Sequence, residues 1–198
     1  MPEVIEAIRA GKPVLLPTDT VYGLCATPYR SEATERLYRL KGREATQPTA
    51  VIATDVDFLF ELVPELHGLI GTVLRTLLPG PYTLVVPNPA HRYRWLTGSR
   101  PETLGVRVPV LPEQASWIVE RVGAIVATSA NLAGGPDPRR LEDVPEEIRS
   151  RVAVAVDGGE LPGVPSTVLD LTGDDPVVLR EGAVAAEDAL AAVRQAVG

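Results

Sequence analysis

Short apolar runs alternate along this chain with segments whose apolar residues repeat at helical spacing. Val14-Leu15-Leu16, Val51-Ile52-Ala53 and residues 124–127 each predict a short buried strand. Further strands are predicted at residues 82–86, 104–108, 152–156, 167–171 and 177–179. Helices are predicted at residues 4–11, 31–42, 58–63, 66–78, 117–119, 143–148 and 187–197. This alternation predicts a single α/β domain over residues 1–198, with a mostly buried, twisted sheet flanked by helices.

Composition narrows the classes of function. The net charge of −7 at pH 7 argues against a protein that coats nucleic acid, because phosphate binding needs a broad cationic face. Two or three cations in a cleft could still bind a small anion. The single cysteine, Cys25, excludes an internal disulfide, and His67 and His91 are too few for a zinc cluster; none of the three is assigned a catalytic role. No membrane-spanning run or signal peptide is visible, so we expect a cytoplasmic protein without membrane contact.

Polar residues crowd onto the ends of the predicted strands, where open α/β sheets usually bind ligands. Residues 17–24, PTDTVYGL, directly follow the first strand and bring together two hydroxyls, a carboxylate and the phenol of Tyr22. The segment fits a binding loop, but it also fits an Asx or Ser/Thr turn with Tyr22 packed in the core. Both alternatives stay open on the pattern alone.

Two cations, Lys41 and Arg43, lie at the end of a predicted helix that Ser31 could cap. With one residue between them, they could converge on one anion, for which arginine offers a planar fork and lysine a compact charge. Alternatively, they only complement the helix dipole, which stabilises by roughly 0.3–1 kcal/mol. The pair suits a polyphosphate but does not require one.

Two further blocks could add to the same rim. Ser129 and Asn131 follow the strand predicted at 124–127, and their hydroxyl and amide could bind a phosphate or a base, or cap a turn. Ser166 begins one predicted strand and Arg180 ends another. An arginine at a strand end, such as Arg180 or Arg107, is often only a solvated surface residue.

Taken in order, these blocks resemble the YrdC-like threonylcarbamoyl-AMP synthases. The matching segments are PTDTVYGL at 17–24, KGR at 41–43, PGPYT at 79–83, TLGVRVP at 103–109, TSANLAG at 128–134, STVLD at 166–170 and RxG at 180–182. The resemblance implies an open mixed sheet with a large concave cavity. It also implies a nucleotidyltransferase that makes L-threonylcarbamoyladenylate and pyrophosphate from L-threonine, bicarbonate and ATP.

The resemblance implies roles for individual residues as well. Lys41 and Arg43 would be catalytic and, with Arg180 and Mg²⁺, would neutralise the developing charge and hold pyrophosphate. The other matched positions divide between two ligands. Those around ATP are Ser99, Ser129 and Asn131, and those around threonine are Thr20, Tyr22, Thr103 and Ser166. No protein ligand to a metal is predicted.

The partners implied are the proteins that pass the threonylcarbamoyl group to adenosine 37 of tRNAs reading codons that begin with A. A weak contact between this chain and tRNA is compatible with these partners. Three positions depart from the family pattern. Ile52 stands where a histidine is common, and Glu44 and Glu181 stand where prolines are common. The alternatives are an enzyme that forms a carbamoyl adenylate from carbamoyl phosphate, and a non-catalytic RNA-binding module.

Overall fold

The computed structural model describes residues 1–42 and 46–198. The described helices are α1 (Pro2–Arg9), α2 (Ser31–Lys41), α3 (Val56–Leu62), α4 (Gly68–Leu77), α5 (Glu113–Val122), α6 (Glu146–Arg149) and α7 (Ala186–Val197), with 3-10 turns at Arg94–Leu96 and Leu141–Asp143. The strands are β1 (Val14–Pro17), β2 (Tyr22–Ala26), β3 (Val51–Ala53), β4 (Tyr82–Pro87), β5 (Thr103–Arg107), β6 (Ala124–Ser129), β7 (Val154–Ala155), β8 (Thr167–Asp170) and β9 (Val177–Arg180).

The described strands form one sheet in the order β7-β1-β2-β6-β3-β5-β4-β8-β9. Three of its neighbouring pairs are parallel, β1 with β7, β3 with β5 and β4 with β8, and the other pairs are antiparallel. The order begins at β7 and ends at β9 without closing. The prediction of a single α/β domain with an open, mixed sheet flanked by helices is therefore confirmed.

Alternation along the strands sends successive side chains to opposite faces of the sheet. Leu15 belongs to a large core cluster with residues of α2, α3, α4 and α7, whereas its neighbours Val14 and Leu16 belong to a second cluster with α1 and α5. The same split separates Leu24 from Cys25. Both faces of this part of the sheet are covered, which explains why its strands are short continuous apolar runs.

Local signals explain several helix ends. Asp55 caps α3, since its side chain accepts a hydrogen bond of 2.7 Å from the amide of Phe58. Gly42 ends α2 in the left-handed conformation, with φ of 65°, which glycine adopts without strain. The predicted cap at Ser31 is wrong, because Ser31 is the first helical residue and Arg30 holds the cap position.

Other predictions are corrected as well. No strand is predicted between Val14-Leu15-Leu16 and Val51-Ile52-Ala53, yet Tyr22–Ala26 forms β2 between β1 and β6. The strand predicted at 152–156 is reduced to Val154–Ala155, which pairs with only one neighbour at the sheet edge. His67, predicted within a helix, instead holds the N-cap position of α4.

Candidate active site

One cleft lies where the helices leave the sheet uncovered. Its volume is about 610 Å³. On β5, Leu104 and Val106 point into the large core, so Thr103, Gly105 and Arg107 point to the opposite face and line the cleft. Among the described residues, the cluster formed with α1 and α5 on that face takes no member from β4, β5 or β8. These helices cover one end of the face, and the cleft occupies the other.

Lys41 is the cationic centre of one end of the cleft. Its side chain is 7% exposed, and its Nζ donates to the carbonyl oxygen of Ser129 at 2.7 Å, to Ser129 Oγ at 2.9 Å and to Asn131 Oδ1 at 2.6 Å. An ammonium group has three donors, and each has an oxygen here. The contacts hold the charge in a fixed position, since α2 ends at Lys41 and β6 ends at Ser129.

Ser129 and Asn131 are also bound to each other. Ser129 Oγ donates to Asn131 Oδ1 at 2.7 Å, and Asn131 Nδ2 donates to the carbonyl of Gly135 at 2.6 Å. The amide of Ala133 donates to the carbonyl of Lys41 at 3.0 Å, which joins this turn to the end of α2. The arrangement forms a rigid polar corner in which a buried ammonium lies beside a hydroxyl and an amide.

A second polar group comes from the C-terminal strands. Ser166, immediately before β8, shares a hydrogen bond of 2.8 Å between its Oγ and Thr83 Oγ1. Arg180, the last residue of β9, donates from Nη2 to the carbonyl of Ser166 at 2.9 Å and to its Oγ at 3.2 Å. All three residues line the cleft. The predicted convergence of Ser166 and Arg180 on one rim is therefore what the structure contains.

The segment at 17–24 is both a turn and a wall of the cleft. Thr18 Oγ1 accepts hydrogen bonds from the amides of Thr20 and Val21 at 3.2 and 3.3 Å and donates to the carbonyl of Val21 at 2.7 Å. Thr18 Oγ1 also lies 3.1 Å from Thr20 Oγ1, and Thr20 lines the cleft. The hydrogen bonds of this Ser/Thr turn thus hold Thr20 in its position along the cleft.

Tyr22 does not line the cleft. Its side chain is fully buried, and its hydroxyl lies 2.9 Å both from Asp157 Oδ1 and from the carbonyl of Gly159 while accepting from the amide of Gly158. Burial is the main reason why the pKa of Tyr22 is raised. The expectation that Tyr22 forms a wall of the threonine pocket has no support in this geometry, because the phenol anchors the segment after β7 instead.

The remaining predicted site residues divide into two groups. Those that line the cleft are Thr20, Lys41, Ser99, Thr103, Ser129, Asn131, Ser166 and Arg180. Thr103 donates to the carbonyl of Arg100 at 3.1 Å, and Ser99 is exposed at the mouth. Arg43 lies outside the described residues. The ligand assigned to each residue stays a prediction.

Sequence reasoning missed several cleft residues. Thr83 belongs to the PGPYT segment but is not predicted as a site residue, although a hydroxyl between the apolar residues of a strand indicates a face that is not filled by core. Arg107, left ambiguous on sequence, lines the cleft and donates from Nη2 to both carboxylate oxygens of Asp19, at 2.8 and 2.9 Å. Asp137 and Arg100 also line the cleft, and both lie in loops whose path no local pattern predicts.

Within residues 1–42 and 46–198, no group of three or more histidine, cysteine, aspartate or glutamate side chains is arranged to hold a metal ion. Over the same residues, none of the helices combines the length and the apolar character needed to cross a bilayer.

The fold and the cleft together define an α/β ligand-binding domain in which fixed cations share one cavity with several hydroxyls. A family model for Sua5, YciO and YrdC proteins, described as telomere recombination, matches residues 6–182. The chain belongs to this family.

Individual relatives extend the match. A threonylcarbamoyl-AMP synthase of Bacillus subtilis is 34% identical over 190 residues, which cover 94% of this chain and 55% of that protein. One of Pseudomonas syringae is 35% identical over 174 residues, covering 85% of this chain and 91% of that protein. The crystal structure of Pyrococcus abyssi Sua5 complexed with L-threonine superposes with a TM-score of 0.86 at 35% identity, covering 98% of this chain and 56% of that one. The chain thus spans about half the length of the first and third of these proteins.

Proposed function

We propose that this chain is a nucleotidyltransferase that forms L-threonylcarbamoyladenylate and pyrophosphate from L-threonine, bicarbonate and ATP. The observation that carries the proposal is that one cleft contains two polar groups. In the first, Lys41 Nζ contacts Ser129 and Asn131. In the second, Ser166 contacts Thr83 and Arg180. The names of the relatives favour this activity over the carbamoyl-adenylate and RNA-binding alternatives.

The reaction makes two bonds. The amino nitrogen of threonine joins the carbon of bicarbonate, and water and a proton leave, which gives N-carboxy-threonine. A carboxylate oxygen of this carbamate then bonds to the α-phosphorus of ATP, while the bond from that phosphorus to pyrophosphate breaks. Negative charge builds up on the phosphate oxygens in this step, so fixed cations near them lower the barrier.

Lys41 meets this demand at one end of the cleft. Its ammonium is held by three oxygens before any ligand arrives, so little reorganisation is needed when charge develops on the phosphates. Ser129 and Asn131 would complete the ATP site, with Ser99 at the mouth. Arg43 is assigned to the same phosphates from its place in the KGR motif.

Arg180 supplies a second cation and lies next to the proposed amino-acid end of the site. Thr20, Thr103 and Ser166 have hydroxyls in the cleft and would bind threonine, whose own groups are an amine, a carboxylate and a hydroxyl. Thr83 joins this set, since its hydroxyl fixes that of Ser166. Such alignment of a carbamate against a phosphate contributes to rate without a general base.

Mg²⁺ would enter bound to ATP. This ion keeps several waters and commonly takes only one or two carboxylates beside substrate phosphates. The cleft fits such a metal, because Asp137 lines it as an exposed carboxylate. The product would pass to the proteins that transfer threonylcarbamoyl to tRNA.

The deciding experiment is pyrophosphate release from ATP with each other substrate omitted in turn. Release should require both L-threonine and bicarbonate. Serine lacks one methyl group, which a binding site distinguishes by roughly 10- to 200-fold, so a weak serine activity is compatible with the proposal. Equal release without an amino acid would remove threonine from it. Release that depends on carbamoyl phosphate would support the carbamoyl-adenylate alternative, and RNA binding without turnover would support the third.

A further inference from the structure

The ion pair between Asp19 and Arg107 spans the open face of the sheet. Asp19 is in the turn that joins β1 to β2, and Arg107 is the last residue of β5. In the sheet, β6 and β3 lie between β2 and β5. The pair therefore ties the turn to a strand three places away, with both side chains almost completely buried, at 10% and 12% exposure.

This pair also separates two cavities. Arg107 lines the cleft, whereas Asp19 lines a second cavity of about 320 Å³, and Thr20 lines both. The other five residues of the second cavity are all apolar: Pro81, Val110, Pro162, Val164 and Ala183. The carboxylate and the guanidinium are thus a partition between a polar site and a mostly apolar side cavity.

We propose that the Asp19–Arg107 pair is a specificity-determining wall, which limits the size of the amino-acid side chain that the cleft accepts. The inference rests on the proposed function. Thr20, one of the proposed threonine ligands, stands at the boundary of the two cavities, so a bound threonine has its side chain near the partition. With the partition in place, a longer apolar side chain pointing this way would meet the ion pair; without it, the apolar side cavity would receive that side chain.

The pair also positions Thr20. Within the turn, the amide of Thr20 is fixed to Thr18 Oγ1, and the amide of Gly163 donates to the carbonyl of Thr20 at 2.8 Å. The ion pair adds a third contact that fixes the turn, because Asp19 immediately precedes Thr20. Arg107 in turn depends on Asp19, because its buried Nε has no hydrogen-bond partner within residues 1–42 and 46–198. Loss of one partner would leave a buried charge, whereas loss of both would not.

The test compares threonine with isoleucine, which is also branched at Cβ but longer and apolar. In the wild type, threonine should be preferred in pyrophosphate release by at least roughly 10-fold. The double variant Asp19→Ala with Arg107→Ala removes both charges and opens the partition. Its preference for threonine over isoleucine in kcat/KM should shrink by roughly 10-fold or more, with the KM for threonine raised and the KM for ATP unchanged.

The matched control is Asp57→Ala with Arg75→Ala, which removes an exposed ion pair of the same length, 2.8 Å. It should leave the amino-acid preference unchanged. A second variant, Asp19→Asn, keeps the size of the wall and an oxygen that can accept from Arg107, and it provides an independent test if the double variant does not fold. It should raise the KM for threonine several-fold and still exclude isoleucine. A folded double variant with wild-type preference, or an Asp19→Asn protein with a wild-type KM for threonine, would overturn the inference.

Failure of the proposed function is distinguished by the wild type itself. If wild-type protein releases no threonine-dependent pyrophosphate, the proposed reaction is wrong, and calorimetric titration of threonine and isoleucine then tests the wall by binding alone. Isoleucine should bind only after the partition is opened. Equal binding of isoleucine to wild type and double variant would overturn the wall independently of any reaction.

Discussion

Lys41 Nζ lies 2.6 Å from Asn131 Oδ1, although 90 positions separate the two residues in the chain. The contact joins the end of α2 to the turn after β6, and it places a buried cation beside a hydroxyl and an amide. A polar network of this kind is rigid when every member has a partner. This corner of the cleft is therefore charged and ordered before substrate arrives.

The first prediction concerns this cation. Lys41→Met keeps the length of the side chain but removes the charge, and we expect the rate of pyrophosphate release to fall by roughly 10²–10³-fold, as for other groups that stabilise transition-state charge. The chain has one other lysine, Lys12, which is exposed, so Lys12→Met is the matched control. Steady-state kinetics at saturating ATP would measure both. Similar rates for the two variants would mean that Lys41 has only a structural role.

The second prediction separates the two ends of the cleft. Asn131→Ala should weaken ATP more than threonine, because Asn131 belongs to the Lys41 corner, and Ser166→Ala should do the reverse, because Ser166 belongs to the Thr83 group. Loss of a buried polar partner usually costs about 1–3 kcal/mol. Titrations with threonine and with a non-hydrolysable ATP analogue would measure both affinities. Equal weakening of both ligands by both variants would contradict the division.

The sequence could predict most of the site because its residues are local to strand and helix ends. Ser129 and Asn131 follow an apolar strand, and Lys41 ends a helix, so their positions at the rim follow from the order of elements. The sequence pattern alone could not predict contacts between residues that are distant in the chain. The bond between Asp19 and Arg107 depends on how the two strands between β2 and β5 set the distance from the turn to β5, and no local signal contains that distance.

Tyr22 shows that the direction of a single side chain also could not be predicted from its motif. Its place in the PTDTVYGL motif suggested a pocket wall, but β2 begins at Tyr22 and alternation points its ring to the core face, together with Leu24. The strand that was not predicted is thus also the reason why the Tyr22 side chain lies in the core cluster. A strand of five buried residues that includes a glycine and an alanine has a weak strand signal, and its neighbours β1 and β6 supply the pairing that stabilises it.

The third prediction follows from that correction. Tyr22→Phe removes the hydroxyl that contacts Asp157, Gly158 and Gly159, so the free energy of unfolding should fall by about 1–3 kcal/mol. The affinity for threonine should change little, because the ring does not line the cleft. Urea denaturation and threonine titration would measure the two effects. A large loss of threonine affinity with unchanged stability would return Tyr22 to the binding site.

The fourth prediction concerns Cys25, which is fully buried in the cluster formed with α1 and α5. Burial in apolar surroundings raises the pKa of the Cys25 thiol to about 12, so only about 10⁻⁴ of it is thiolate at pH 8. The native protein should therefore resist a thiol reagent at pH 8 and react fully in denaturant.

The raised pKa of Cys25 also makes the free energy of unfolding depend on pH. The unfolded thiol, with a pKa of about 8.5, loses its proton first as pH rises, so the thiol lowers the free energy of unfolding between roughly pH 8.5 and pH 12. Cys25→Ala should remove that pH dependence, and rapid labelling of the native thiol at pH 8 would contradict its buried, protonated state.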